Sequence, residues 1–295
     1  MNIRICNFHT VIRKYCMDRM KWLRNNRIIA QRNALGIYDE TKDMTEEQTI
    51  GEIYHKIRGL SREEAAELEN NTELRKACCS IHIDILEIIL QNLERQEPEQ
   101  YEALDEIKNA AINLVQASRI NENRNYFGWS QEEKKTITEE EINQLVSYIK
   151  TIDDNSLEEV QHLFYRRVLT KEEEREIIKK LQDNWLETTK HLYCESTNEI
   201  ACFYSHEFEE TVDRNKIIDL LKDKGETRIY EINSCDLDAV SYIMDTEALL
   251  MNQKSQAYWC SEGMDWAIIK DHEGFYFVCG AFLVEACKRV TEAGK

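Results

Sequence analysis

Apolar positions in Glu73–Arg95, ELRKACCSIHIDILEIILQNLER, follow the densest helical pattern in the chain. At 100° per residue, Leu74, Ala77, Cys78, Ile81, Ile85, Ile88 and Ile89 share one side. Cys79, Ile83, Leu86, Leu90 and Leu93 widen the apolar arc to roughly 240°. A helix resting on a surface needs a stripe of only about 100°. The segment therefore predicts a central helix covered from two sides.

Helical spacing recurs on either side of it. In MNIRICNFHTVIRKYCMDRMKWLRNNR, Phe8, Val11, Ile12, Tyr15, Met20 and Leu23 fall near one face, and Arg13, Lys14, Arg19, Lys21, Arg24 and Arg27 occupy the others. Such a basic amphipathic helix suits a membrane surface, a nucleic-acid backbone or an acidic protein face. It equally suits packing on the acidic body of this protein or of a second copy. A mitochondrial presequence fits less well, because serine is absent and no small-residue processing site follows. Beyond the polar connection IYDETKDMTEEQT, the pairs Thr45/Gln48, Ser61/Glu64, Ser130/Glu133, Thr138/Glu141, Ser156/Glu159 and Thr170/Glu173 predict capped helix starts. Ser61–Asn70 reads as a short helix. Pro98, the only proline, suits the first turn of a helix over Pro98–Arg119. Ile142, Leu145, Val146 and Ile149 line one later helix; Val160, Leu163, Phe164 and Val168 line another; Lys171–Leu192 is a third, with a solvated charged start.

Near residue 196 the period changes. Glu199–Ser205, Arg228–Asn233, Gln256–Cys260, Met264–Lys270 and Phe275–Gly280 read as strands, the last two joined by the hairpin loop Asp271-His272-Glu273-Gly274. Lys216–Leu221, Leu237–Leu250 and Ala281–Val290 read as helices. The pattern predicts an α+β fold, with a largely helical N-terminal two-thirds and a small C-terminal α+β module built on an antiparallel sheet. The expected divisions are a basic arm at 1–40, a helical region at 41–195 with a break at 121–130, and the module at 196–295.

Composition agrees with long helices: glycine and proline together number ten in 295 residues, far below the average of about 12%. Ten cysteines without a scaffold rhythm or a secretory signal read as reduced thiols, so the expected setting is a cytoplasm. No apolar run reaches the roughly 18 residues of a membrane span. The net charge of −18 is uneven. Residues 1–32 hold eight Lys or Arg and only Asp18, a local +7, which leaves −25 on the other 263 residues. An acidic body repels nucleic acid and favours basic surfaces, as a DNA mimic also would.

Candidate chemistry is sparse. His191-x2-Cys194-x7-Cys202-x3-His206 has the residue types of a structural zinc site. Its spacing is not that of a standard finger, and buried thiols with surface histidines explain the same residues. His82 falls within the central apolar arc, where a satisfied core histidine is the ordinary reading. Glu262, Asp265, Asp271 and Glu273 gather near the hairpin, as turn residues do. No nucleophile elbow, phosphate-binding loop, dinucleotide fingerprint or His-Glu-x2-His occurs, so no cofactor is expected. Tyr126-Phe127-Gly128-Trp129, beside the polar break NENRN, is either a partner-binding hot spot or a plug closing the end of a helical bundle. Arg13, Lys14, Arg19, Lys21, Tyr126, Phe127 and Trp129 are the candidate partner-binding residues.

Taken whole, the chain resembles the phage-encoded Gabija anti-defence proteins in its length, its opening MNIRICNFHTVIRKYCMDRMKWLR, its acidic helical middle and its ending DWAIIKDHEGFYFVCGAFLVEACKR. The resemblance implies a non-enzymatic inhibitor acting in the cytoplasm of the infected bacterial cell. Such proteins assemble as homo-oligomers around the Gabija nuclease–helicase complex and block its access to DNA, without binding nucleic acid or membrane themselves. Two other classes remain open from the residues: an enzyme degrading or modifying a nucleotide signal, and a nucleic-acid-binding regulator using the basic N-terminal helix.

Overall fold

The computed structural model describes residues 3–69, 71–121, 124, 126, 128–161, 163–186, 189, 197–233, 239–249 and 256–293. The chain divides into two compact units, Met1–His162 and Leu163–Lys295. The first is helical and the second is built on an antiparallel sheet, an α+β plan. Expected boundaries at 40 and 195 are both displaced. The N-terminal helix belongs to the core of the first unit, and the sheet unit starts upstream of 196 because residues 166–168 form one of its strands.

In the helical unit the described helices are α1 (Ile3–Ala34), α2 (Glu46–Arg58), α3 (Arg62–Glu69), α4 (Thr72–Ala77), α5 (Ile81–Leu93), α6 (Leu104–Ala117) and α7 (Gln131–Thr151). As its wide apolar arc predicts, α5 packs against several neighbours: α1, α6 and α7. Ile85, Leu86, Ile89 and Leu93 are fully buried there among Phe8, Ile12 and Cys16 of α1, Ile107, Ala111 and Val115 of α6, and Leu145 and Ile149 of α7. Each such side chain contributes about 1.5–3 kcal/mol by leaving water.

Glu73–Arg95 is not one helix, however. The Asn71 side chain caps α4 by accepting from Leu74 N at 3.0 Å, and the chain turns at Cys78–Ser80 before α5. On a continuous helix, residues two apart point roughly 200° away from each other. The turn lets Cys79 and Ile81 enter one small cluster with Tyr126 and Ile137.

Reciprocal capping boxes form at Thr45/Gln48, Ser130/Glu133 and Thr170/Glu173, and Ser61 and Glu64 exchange the same two bonds. Two expected starts are corrected. Thr138 lies inside α7, where its hydroxyl donates to Lys134 O at 2.8 Å. Ser156 turns back to Asp153, whose carboxylate accepts from Ser156 N at 2.9 Å. Pro98 opens a separate 3-10 turn, Pro98–Gln100, and α6 begins only after Glu106 accepts from Ala103 N at 3.2 Å.

The sheet unit has seven described strands: β1 (Arg166–Val168), β2 (Ile200–Tyr204), β3 (Arg228–Asn233), β4 (Tyr242–Asp245), β5 (Ala257–Cys260), β6 (Ala267–Lys270) and β7 (Phe275–Cys279). Their order is β1-β4-β3-β5-β6-β7-β2, and every neighbouring pair is antiparallel. Helices α9 (Ser205–Thr211), α10 (Arg214–Asp223) and α11 (Ala281–Ala293) supply Phe208, Ile217, Ile218, Leu221, Leu283 and Val284 to one face, against Ile229, Met244, Trp259, Ile268, Tyr276 and Val278. On the opposite face, α8 (Lys171–Leu181) sets Ile177 and Leu181 over Ile232, Cys260, Ile269, Phe277 and Cys279. The 271–274 hairpin forms as expected, with Asp271 accepting from Glu273 N and Phe275 N and Gly274 at φ +91°.

Three expected helices differ. Val160–Val168 holds no helix among its described residues; its end is β1, and Phe164 is exposed. The predicted helix Leu237–Leu250 contains β4 and a 3-10 turn, Thr246–Ala248. Lys171–Leu192 is α-helical only to Leu181 and continues as a π turn, Gln182–Leu186.

Gly280 joins β7 to α11 at φ +100°, and a Cβ there would lie 2.7 Å from Asp265 O. Gly225, at φ +86°, has open space around it. Gly225→Ala is expected to lose roughly 1–2 kcal/mol from backbone conformation. Gly280→Ala should lose about 1–3 kcal/mol more, because overpacking adds to that cost. Chemical denaturation of both variants measures the difference.

Candidate functional site

Cations of α1 divide between its two halves. Up to Met20 the helix is built into the core, with Ile5, Phe8, Ile12, Cys16 and Met20 buried; from Lys21 onward none of its residues is buried. Arg13, a candidate for partner binding, is only 6% exposed. Its Nη2 and Nε donate to Glu94 Oε1 at 2.8 and 3.2 Å. One turn earlier, His9 Nε2 donates to the Leu93 carbonyl at 2.9 Å. Together these side chains hold the C-terminal end of α5.

Arg19, the second candidate, makes a bidentate pair with Glu141 of α7, at 2.9 and 3.3 Å. His82 of α5 bonds the same carboxylate, Nδ1 to Oε1 at 2.8 Å, so it is the satisfied histidine its position suggests. Burial pushes the fully enclosed Glu141 carboxyl up, but the bonds from His82 and Arg19 outweigh this and leave its pKa below the ordinary value. Arg13 is therefore corrected from a partner-binding residue to an internal counter-ion; Arg19 also answers a carboxylate that has left water, but its side chain stays 23% exposed and reaches the surface residue Trp22. Lys14 and Lys21 are exposed.

Of the aromatic candidates, Tyr126 is buried against Cys79, Ile81 and Ile137, and Trp129 is partly buried against the same cluster. The Arg75 guanidinium stands 4.6 Å from the Trp129 ring centroid. For these two residues the packing alternative, a plug, describes the contacts, and Tyr126 is corrected from a surface anchor. Phe127 lies outside the described residues, as do His191 and Cys194 of the zinc candidate. Cys202 is on β2 and His206 on α9. Among the described residues no group of three or more His, Cys, Asp or Glu is placed to hold a metal. Nor, among them, is any helix long and apolar enough to cross a membrane.

The free surface is elsewhere. Of eleven exposed large apolar side chains among the described residues, nine fall between Ile3 and Ile57. This concentration is not visible from periodicity, which shows where apolar faces lie but not which are left uncovered. In α2, Thr49 and Ile53 face inward, while Ile50, Tyr54 and Ile57 form an outward i, i+4, i+7 stripe. Tyr54 is 62% exposed. Glu46 and Glu47 mark the first turn of α2, and His55, Lys56 and Arg58 the last. On α1, Trp22 and Ile29 are exposed two turns apart, and Arg19 stacks on Trp22 at 4.6 Å. Arginine-backed aromatics and an apolar helix stripe are the usual anchors of protein interfaces.

In the sheet unit, Glu231 is a buried carboxylate that no local pattern singles out. Trp259 Nε1 donates to it at 3.0 Å and Arg166 Nη2 lies at 3.4 Å. Arg166 in turn stacks on Tyr242 at 3.6 Å. The pairings join residues 28 and 65 positions apart, so no short motif announces them.

No family model, curated protein or solved structure matches the chain.

Removing one partner of a buried ion pair strands the other charge. Arg13→Met is expected to lose about 3–5 kcal/mol of stability, and Arg13→Met with Glu94→Leu to recover most of it; equilibrium denaturation gives both. A second expectation concerns pH. Burial pushes His9 down to about 4, with Arg13 acting the same way and the Leu93 hydrogen bond opposing. The unfolded histidine binds its proton near pH 6.5. The neutral ring thus contributes stability above that pH, which is lost as pH falls toward 4 and amounts to roughly 3 kcal/mol. His9→Gln should flatten the stability profile between about pH 6.5 and 4.5.

Proposed function

We propose that the protein acts by occupying a partner's surface: it self-associates and covers the DNA-binding face of the bacterial Gabija nuclease–helicase complex, as an anti-defence inhibitor. The observation that carries the reading is the uncovered apolar stripe Ile50/Tyr54/Ile57 on α2, to which the exposed Trp22 and Ile29 of α1 add further apolar surface. A concentrated exposed apolar surface marks an interaction site. The charge of −18 suits a basic, DNA-binding target and would steer encounter with it. The identity of that target rests on the sequence resemblance.

Self-association is supported by the charge order of α2. Antiparallel pairing with a second copy sets the acidic first turn against the basic last turn, twice, as a two-fold interface requires. Gly51, next to the stripe and near the middle of α2, has no atom within 4 Å of a would-be Cβ. A glycine there costs an isolated helix about 1 kcal/mol relative to alanine, and it gives room for a second backbone.

Tyr54→Glu is expected to leave the melting temperature of the protein nearly unchanged while lowering its native mass and its capture of the purified defence complex. Gly51→Ala should raise thermal stability at dilution yet weaken self-association. If both variants assemble and inhibit like the unaltered protein, α2 is not the interface. Inhibition at strongly substoichiometric amounts would point to turnover and overturn the occlusion reading itself.

A further inference from the structure

A cavity of about 660 Å³ opens in the helical unit between the end of α6 and the first half of α7. Its wall combines Lys134, Arg119 and Lys135 with the neutral donors Gln116 and Asn143, over an apolar patch that includes Ile142. Glu132 and Glu139 also border it, but Glu139 lies 4.0 Å from Lys135 and offsets that cation. The first turn of the 21-residue helix α7 reaches the rim, where the helix dipole favours negative charge.

The unusual member is Lys134. It is 8% exposed, and its ammonium stands 5.3 Å from the Tyr126 ring centroid. Among the described residues, no carboxylate or carbonyl completes a hydrogen bond or ion pair with it. Its stem is buried while its ammonium has no opposite charge beside it, and such a cation lowers stability relative to an apolar side chain of the same length. Such a residue is accounted for when something else supplies the missing negative charge. Arg119 is half engaged: its Nη1 donates to Gln116 O and Ser118 O at 2.6 and 2.7 Å, and the residue lines the cavity.

We propose that this cavity is a binding site for a small phosphate-bearing ligand, with Lys134 and Arg119 holding the phosphate and the apolar patch taking the organic part. Two cations that differ in burial suit a phosphate well. One is a compact ammonium on a buried stem; the other, on an exposed residue, is a planar fork that can meet two phosphate oxygens at once. The volume fits a compound of nucleotide size. The site is separate from the α2 stripe, and its fate does not decide that of the occlusion reading.

Calorimetric titration of the full-length protein with AMP and with inorganic pyrophosphate, at low salt, tests the assignment, with melting of each unliganded protein as companion measurement. Saturable one-to-one binding of either probe is expected. Lys134→Met should weaken it by roughly ten- to a hundredfold, the loss of one charge-assisted hydrogen bond, while the unliganded variant melts at the same or a higher temperature. Arg119→Gln, at an exposed position, should weaken binding without moving the melting point, and it keeps the test decisive if the lysine variant folds poorly. Absence of saturable heat at millimolar probe overturns the proposal. So does affinity that is unchanged in both variants.

Discussion

Two carboxylates that have left water fix the helical unit. Glu94, at the end of α5, and Glu141, midway along α7, are almost wholly enclosed, and a charge in that setting must be met by an opposite one with good geometry. Both are met from α1, by Arg13 and Arg19. The two contacts set the helix's rotation and its position along its axis together. A slip of one residue would turn both guanidinium groups away and leave two unpaired charges inside. Such pairs add little net stability beside a well-packed apolar alternative, but they penalise every other register heavily. Exposed pairs of the same helix, Arg4–Asp154 and Arg24–Glu87, are screened and contribute far less.

The same solution appears in the sheet unit, where Glu231 sits under Trp259 and Arg166. In each unit, polar side chains select one arrangement from the many that apolar packing alone would tolerate. What is left uncovered then stands out. Apolar side chains are sequestered through most of the described chain, yet the first sixty residues present nine large ones to solvent. A helix so firmly seated at one end and so bare at the other separates support from display: its first half anchors, and its second half carries a surface outward.

Much of this is legible from residue order. The wide arc of residues 81–93, the capping pairs at Thr45, Ser61, Ser130 and Thr170, and the hairpin about Asp271–Gly274 all depend on near neighbours, and local spacing reveals them. What escapes depends on distant ones. Nothing near Arg13 announces Glu94, 81 positions on, so a cation committed to the interior looks like one free to bind. Tyr242-Ile243-Met244 is apolar on both sides because both faces of the sheet are covered, and a run without alternation does not tell strand from helix. β1 is three residues long and two of them are arginines, a sequence that reads as an extended strand only once β4 lies beside it. The turn at Cys78–Ser80 is hidden by apolar residues that suit either path.

The order of strands has a consequence for how the sheet is made. Neighbours at its centre, β5 with β6 and β6 with β7, are joined by short links, but β2 pairs with β7, the last strand of the chain. During synthesis β2 must therefore wait, its edge unmatched, for some seventy residues to emerge behind it. Closing so long a loop delays assembly. The interval leaves Ile200, Phe203 and Tyr204 without their final neighbours, and it is then, before the ribosome has finished, that this half of the molecule is most open to mispairing.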